Sequence, residues 1–399
     1  MNILFFTSNK VCSTRGGTER ATISVATGLT NKYECNCYSL YEIPSNSSKE
    51  NCFVEEFCWY EKKGMGDRLD YLKQIVVKNS ISFVVIQGSF IHTELFVNRL
   101  ASYDCKVVFA HHFEPGSEQR FLSLEYIIRH FSCDSFNGFC RSLLNIFFYP
   151  YYHRKSIISL RNNYKETYDK ADKVVLLSNS FVEPYKHFAG LSESDKFAII
   201  HNSLSFNEFL NVEDIQYKHK IALIVARFDD KFKNISLALR IWAKVQKNQL
   251  ARDWCLKIVG HGKDESLYHE IVAKENIPNV MFEGRQNPIN YYKEASLFMM
   301  TSNSESWGLT LTEAMQFGTV PIAINTYPSL TEIITDQKDG VVVPKGDIDK
   351  YVNEMLRLIK DDETRRTMAC SAIESSKRFS QDAISDKWYS LFNEISKQQ

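Results

Sequence analysis

Two glutamates with seven residues between them, Glu305 and Glu313, lie in the segment Ser302-Asn303-Ser304-Glu305-Ser306-Trp307-Gly308-Leu309-Thr310-Leu311-Thr312-Glu313-Ala314-Met315. The apolar run 297–301 before it reads as a strand and the residues after it as a helix, which puts Gly308, Leu309 and Thr310 at a helix N-terminus. Unpaired backbone N–H groups and the helix dipole there favour a phosphate or another anion. Glu305 falls in the loop before the helix and Glu313 in its first turns, so two carboxylates flank the anion site with different reach. The plainer alternative is that both glutamates only complement the helix dipole.

A second group, Arg227-Phe228-Asp229-Asp230-Lys231-Phe232-Lys233-Asn234, follows directly on the apolar run 221–226. Arg227 offers a planar fork for bidentate phosphate contact and Lys233 a compact point charge. Two such cations can neutralise a diphosphate leaving group without a metal. The alternative is a solvated loop, which suits Lys231. The pair Gly16-Gly17 lies between the first strand and a helix running to about residue 29, and adjacent glycines let a backbone approach a ligand closely. It is not G-x-G-x-x-G, so a dinucleotide site is poorly supported, and an ordinary turn explains it equally. The fourth group, Ala110-His111-His112-Phe113-Glu114-Pro115-Gly116, ends another strand. A histidine there can hydrogen-bond a hydroxyl or a carbonyl, although a lone histidine is more often structural. Asp347-Ile348-Asp349 opens a late helix and reads as first-turn carboxylates rather than a metal site, so no metal is expected.

The elements that must position these residues alternate in a βαβα rhythm. Strand candidates are 3–7, 83–87, 107–110, 173–178 and 197–201, then 221–226, 255–259, 279–283, 297–301, 320–325 and, more weakly, 341–343. Helical candidates such as 235–246 and 309–317 separate those of the second half. Near-continuous Val, Ile and Leu runs suit parallel strands covered on both faces. The rhythm restarts after a polar, irregular stretch. The expected organisation is therefore a Rossmann-like domain over 1–202, a linker over 203–219, a second doubly wound domain over 220–378, and a C-terminal helix over 379–399 that packs back on the first domain. Ligands of such sheets bind at the carboxyl ends of the strands, so two facing domains would enclose a central cleft.

Composition narrows the function. Among 399 residues, Lys+Arg and Asp+Glu stand at 48 each, which excludes a nucleic-acid binder held by bulk positive charge. A hydrophobic content of 44% and a charged content of 24% are those of a globular chain with a sizeable core. The ten cysteines form no C-x-x-C pair and no zinc spacing, and no leader or membrane-length apolar run is seen, which fits a reduced, cytoplasmic setting.

Taken together, the four groups resemble retaining glycosyltransferases of the GT-B fold, specifically glycosyltransferase family 4. Its second-domain signature of Glu, seven residues, Glu is matched by Glu305 and Glu313. Gly16-Gly17, the histidine after a middle strand, Arg227 with Lys233, and Gly260 after Leu256-Lys257-Ile258-Val259 extend the likeness over most of the chain except about 116–169. The resemblance implies that Arg227 and Lys233 hold the diphosphate of a nucleotide-sugar donor, a UDP- or GDP-sugar. It implies that Glu313 meets the ribose hydroxyls, that Glu305 lies near the transferred sugar, and that backbone at Gly308, Leu309 and Thr310 binds phosphate. Gly16 and Gly17 would contact the donor from the first domain, and Arg285 would lie near the base. His112 is favoured over His111 as the histidine facing the sugar, because Pro115 completes a His-x-x-Pro pattern. The acceptor would be a glycan or lipid-linked saccharide of cell-surface polysaccharide or lipopolysaccharide synthesis, with no cofactor. The rivals are a nucleotide-sugar epimerase or hydrolase and a non-catalytic sugar-nucleotide-binding scaffold.

The stretch without a counterpart has its own chemistry. Residues 120–165 carry seven Lys/Arg against two carboxylates, a net of +5, together with 11 Phe and Tyr. Basic and aromatic side chains together favour an anionic bilayer surface, which would make the protein peripheral on the cytoplasmic leaflet. The alternative is a local aromatic core under a helical hairpin.

Overall fold

Runs of Val, Ile, Leu and Phe with no polar face build both sheets of the structure, a computed structural model that describes residues 1–12, 16–60, 62, 64–88, 90, 93, 96, 100, 103, 105–124, 128 and 146–397. The chain divides into two units, Met1–Ile200 with Lys387–Gln399, and His201–Asp386. Each is an α/β unit built on one parallel sheet.

The first sheet contains β1 (Asn2–Asn9), β2 (Asn36–Ile43), β3 (Glu56–Cys58), β4 (Phe83–Gln87), β5 (Lys106–His111), β6 (Lys173–Leu176) and β7 (Phe197–Ile199). Their order is β3-β2-β1-β4-β5-β6-β7. The second contains β8 (His219–Val225), β9 (Cys255–Val259), β10 (Val280–Gly284), β11 (Ala295–Met300), β12 (Val320–Asn325) and β13 (Val341–Pro344), in the order β10-β9-β8-β11-β12-β13. Both orders reverse direction once, between β1 and β4 and between β8 and β11. Helices leaving the two strands at a reversal go to opposite faces, so the loops there part and leave a crevice at the strands' carboxyl ends.

Strands β2 and β3 and the helix Met65–Lys78 are absent from the sequence expectation. The run Asn-Cys-Tyr-Ser-Leu-Tyr-Glu-Ile shows neither a β-branched run nor a clean alternation, yet Cys37 to Tyr41 are buried. Strand β3 has only three residues, too few to carry a period. The stretch 203–219, expected as a linker, is packed inside the second unit. Leu204 is fully buried, Gln316 Nε2 donates to the carbonyls of Phe206 and Glu208 at 2.8 and 2.6 Å, and Ile215 belongs to the core around Trp242. The helix Gln381–Lys397 ends in the first unit: Phe392 lies 4.6 Å from Phe83, Tyr389 stacks on Tyr33 at 3.8 Å, and Glu394 pairs with Lys173 at 2.9 Å.

In the first unit the helix Tyr149–Lys170 is fastened to the end of β5 by a buried polar cluster. The Tyr164 hydroxyl donates to both oxygens of Glu118 (2.8 and 2.7 Å), accepts from the Gly116 amide (3.0 Å), and meets His111 Nε2 at 3.1 Å. Burial pushes the Glu118 carboxyl and the Tyr164 hydroxyl up, and pushes His111 down to about 3, with His112 adding to the effect. A neutral His111 with its proton on Nε2 completes the network by donating to the Tyr164 oxygen.

In the second unit, the loop after β8 is clamped by the loop after β9. The Phe228 amide donates to the His261 carbonyl at 2.9 Å, and the Gly260 amide to the Gly284 carbonyl at 2.8 Å. Gly260 has φ 148°, and a Cβ there would lie 1.8 Å from the Ala226 carbonyl oxygen. No side chain fits.

Gly260→Ala therefore forces the two loops apart, and it is expected to cost at least about 2 kcal/mol of stability, read by urea unfolding. The histidine gives a pH signature. Its folded value near 3 lies below the ordinary 6.5, so between those values the unfolded chain binds a proton that the folded chain refuses. That stability is complete above pH 6.5 and is lost as pH falls, at up to about 1.4 kcal/mol per pH unit. Comparison with His111→Gln removes the opposing contribution of Glu118. The wild type should lose stability relative to the variant between pH 6.5 and 4, measured by thermal melts.

Candidate functional site

The second unit gathers its chemistry at the reversal between β8 and β11. Arg227 to Asn234 follow β8, and Ser302 to Gly308 follow β11. The two loops are stitched together: the Asn303 amide donates to the Phe232 carbonyl (2.8 Å), Asn303 Nδ2 to the Lys231 carbonyl (3.0 Å), Asn234 Nδ2 to Asn303 Oδ1 (3.1 Å), and Thr301 Oγ1 to the Asn234 carbonyl (3.0 Å). Asn234 has φ 49°, a left-handed turn that ends the short helix Asp230–Lys233 and starts the helix Ile235–Val245. Asparagine tolerates that conformation better than most residues. With the turn fixed in this way, Lys233 is held over the β11 loop.

Lys233 and Glu305 form an ion pair, and Ser302 Oγ donates to the same carboxylate oxygen at 2.8 Å. Their side chains are 22% and 12% exposed, so the pair is only thinly screened by water. The ammonium has three donors and Glu305 takes one of them; the others have no partner among the described residues. Both residues line a shallow pocket with Thr301, Ser302 and Thr310 at the strand ends. The loop around Glu305 is braced from β12, with Thr326 Oγ1 donating to the Ser302 carbonyl (2.6 Å) and Ser329 Oγ to the Ser306 carbonyl (2.9 Å).

Gly308, with φ 83°, is the N-cap of the helix Leu309–Gln316. A Cβ at Gly308 would lie 3.1 Å from the Tyr327 hydroxyl. No side chain caps this N-terminus, and its first turn carries no carboxylate. The glutamates thus do not serve the helix dipole, because Glu305 turns to Lys233 and Glu313 lies a turn deeper. The amides of Leu309 and Thr310 have no acceptor within the helix. Glu313 is fully buried, its two oxygens accepting from Ser205 Oγ at 2.6 Å and from the Tyr292 hydroxyl at 3.0 Å.

The other expected residues are more open. Arg227 is 68% exposed, 3.7 Å from the buried Asp229, which Lys263 also approaches at 3.3 Å. Phe228 turns inward between them and packs edge-on against Tyr268. Arg285 is exposed beyond the end of β10. Asp347 caps the helix Ile348–Lys360 by accepting from the Lys350 amide at 2.9 Å, and Asp349 pairs with Lys244 at 2.9 Å. Among the described residues no group of His, Cys, Asp and Glu could hold a metal ion.

In the first unit the same topology places Gly16 and Gly17 after β1, Gln87 at the end of β4, and His111 and His112 at the end of β5. Gly17 begins the helix Gly17–Tyr33, and a Cβ at Gly16 would meet Glu19 Oε2 at 2.9 Å. His112 Nε2 is hydrogen-bonded to Gln87 Oε1, whereas His111 is committed to the Tyr164 cluster. Gly88, with φ 73°, leaves room beside the His112 ring. Sequence reasoning missed Ser302, Gln87, Ser205 and Tyr292. Only Ser302, three residues from Glu305, had a local signal.

Residues 205–375 match the family model described as glycosyl transferases group 1. The chain is 26% identical over 231 residues to the amylovoran biosynthesis glycosyltransferase AmsD of Erwinia amylovora, covering 57% of this chain and 63% of that protein. It is 26% identical over 243 residues to the poly(glycerol-phosphate) alpha-glucosyltransferase of Bacillus subtilis, covering 59% of this chain and 35% of that protein. Both matches span less than two thirds of the relative's own length. In three dimensions the chain is similar to Anabaena HepE, solved in complex with UDP and glucose, with a TM-score of 0.72, 16% identity, and coverage of 99% of this chain and 100% of that one. With its two Rossmann-like units the chain has the GT-B fold, and most of its second unit, residues 205–375, is similar to the group 1 glycosyl transferases.

Proposed function

We propose that this protein is a retaining, metal-independent family 4 glycosyltransferase. It moves a sugar from a UDP- or GDP-sugar to a saccharide or lipid-linked saccharide acceptor during assembly of a cell-surface polysaccharide or lipopolysaccharide. The observation that carries this reading is the Lys233–Glu305 pair beside the uncapped start of the helix Leu309–Gln316, at the strand-order reversal of the second sheet. The relatives named for amylovoran and poly(glycerol-phosphate) support the pathway class, and the UDP complex of HepE supports a nucleotide-sugar donor.

As the bond from the anomeric carbon to the diphosphate breaks, negative charge grows on the leaving oxygens and positive charge on the sugar. Preorganised donors lower the barrier where that charge develops. The remaining donors of Lys233, the Arg227 guanidinium and the amides at Gly308, Leu309 and Thr310 serve the diphosphate. Glu305 keeps the Lys233 ammonium aimed and lies on the side of the electron-poor sugar. Glu313 exchanges a hydroxyl partner for the ribose, Arg285 serves the base, and Gly16, Gly17 and His112 are the first unit's contacts to the donor and its sugar. The acceptor hydroxyl attacks from the face the diphosphate leaves and passes its proton to the departing phosphate oxygen, which preserves the anomeric configuration.

Glu305→Ala and Lys233→Ala should each lower sugar transfer by about 100-fold or more, the usual scale for losing one charge-stabilising group, with circular dichroism unchanged. Near-wild-type turnover in either variant would sink the assignment. A thermal-shift screen of UDP- and GDP-sugars should pick out the donor, since a ligand at 100 times its Kd stabilises the fold by about 2.7 kcal/mol.

A further inference from the structure

The helix Tyr149–Lys170 has two unlike halves. Its C-terminal half is buried through Tyr164, Thr167 and Tyr168. Its N-terminal end carries Phe147, Phe148, Tyr151 and Tyr152, exposed by 79%, 45%, 63% and 43%, and Ile158 follows on the outside at 50%. These rings touch one another, with centroids 5.0 Å apart for Phe147–Phe148 and 5.6 Å for Tyr151–Tyr152. A cluster of adjacent exposed aromatics is an interaction surface rather than scattered exposure.

The charges along this segment have one sign. From Phe147 to Lys165 the sequence has Arg154, Lys155, Arg161 and Lys165 and no carboxylate. Lys165 is paired with Asp169, and Arg161 lies over the Phe188 ring. Arg154 and Lys155 are exposed, with no ion-pair partner among the described residues. The first turn of the helix has no acidic residue, so the positive end of the dipole adds to these cations instead of being offset.

We propose that this helix end docks on an anionic lipid bilayer, with Phe147, Phe148 and Tyr151 entering the headgroup boundary and Arg154 and Lys155 meeting lipid phosphates. Charge complementarity selects this occupant. Paired cations with no carboxylate suit a surface of phosphates, and tyrosines present an apolar ring with a wet tip to the boundary. The docking stands apart from the sugar chemistry of the second unit, and the two can fail separately. No helix among the described residues is long and apolar enough to cross a membrane, so contact of this kind is from the surface.

The test is flotation of the full chain with vesicles of phosphatidylcholine alone and of phosphatidylcholine with phosphatidylglycerol. The wild type should float with the anionic vesicles, lose affinity as salt rises, and bind neutral vesicles far less. Arg154→Gln with Lys155→Gln, and separately Phe147→Ser with Tyr151→Ser, should each weaken binding to anionic vesicles by about tenfold or more. All four positions are exposed, so melting temperature and donor-induced thermal shift should stay at wild-type values. The proposal is overturned if the wild type ignores anionic vesicles, or if both double variants float as well as the wild type. It is also overturned if light scattering shows a dimer that Phe147→Ser with Tyr151→Ser dissolves, since the aromatics would then cover a second copy of the chain.

Discussion

The reversal of strand order between β8 and β11 is the constraint on which the second unit's chemistry depends. Neighbouring parallel strands whose crossover helices go to opposite faces cannot keep their outgoing loops together. Arg227 to Asn234 leave β8 and Ser302 to Gly308 leave β11, and only at this reversal do two such loops border a common opening. The chain then draws them back into contact through side chains. Asn303 and Asn234 supply three side-chain polar atoms at the seam, and Thr301 closes its base. Polar stitching of this kind lets the opening keep its width while the Lys233 and Glu305 side chains stay fixed.

Burial divides the two glutamates into different tasks. Glu305 remains at the rim beside Lys233, in a dielectric where the pair is attractive and the ammonium is still reachable. Glu313 lies beneath it, out of water, where Ser205 and Tyr292 each donate to one of its oxygens and so offset the cost of burying a carboxylate. Ser205 comes from the polar stretch before β8, so that stretch contributes to the carboxylate's solvation as well as to the packing of the helix Leu309–Gln316. This explains why residues that look like a tether are drawn in against the unit.

The sheets were legible because both faces are covered, and the resulting Val, Ile and Leu runs have few alternative readings. Strands β4, β9 and β12 fall on the expected residues. Strand β2 was not legible, since its buried side chains are Cys, Tyr and Ser as well as Leu, and burial there is imposed by neighbours rather than announced by residue type. The candidate site was legible where the residues sit next to the strand that aims them, as with Lys233, Glu305 and Gly308. Their partners were not. Ser205 lies 108 positions from Glu313, and His111 and Tyr164 are 53 apart, distances over which a single chain gives no local period or spacing to read. The choice between the neighbouring His111 and His112 also turns on such partners, one histidine facing a tyrosine and a buried acid, the other an amide. Within the basic aromatic stretch, Glu125, Arg129, Asp134 and Arg141 lie outside the described residues.

The same stretch shows how one helix can carry two unrelated demands. At 22 residues the helix Tyr149–Lys170 is about 33 Å long, from the rise of about 1.5 Å per residue. Among the described residues its buried side chains fall in the last two turns, where Tyr164 reaches Glu118 and Gly116, Tyr185 donates to the Tyr164 carbonyl, and Tyr168 meets Asp195. No described residue of the helix before Arg161 is buried. Exposed Phe and Tyr lower solubility, and cations near a helix N-terminus oppose its dipole, so neither feature helps that length fold. Both become favourable against a surface that is apolar below and negatively charged above, and the rigid inner half fixes the direction in which the outer half is presented.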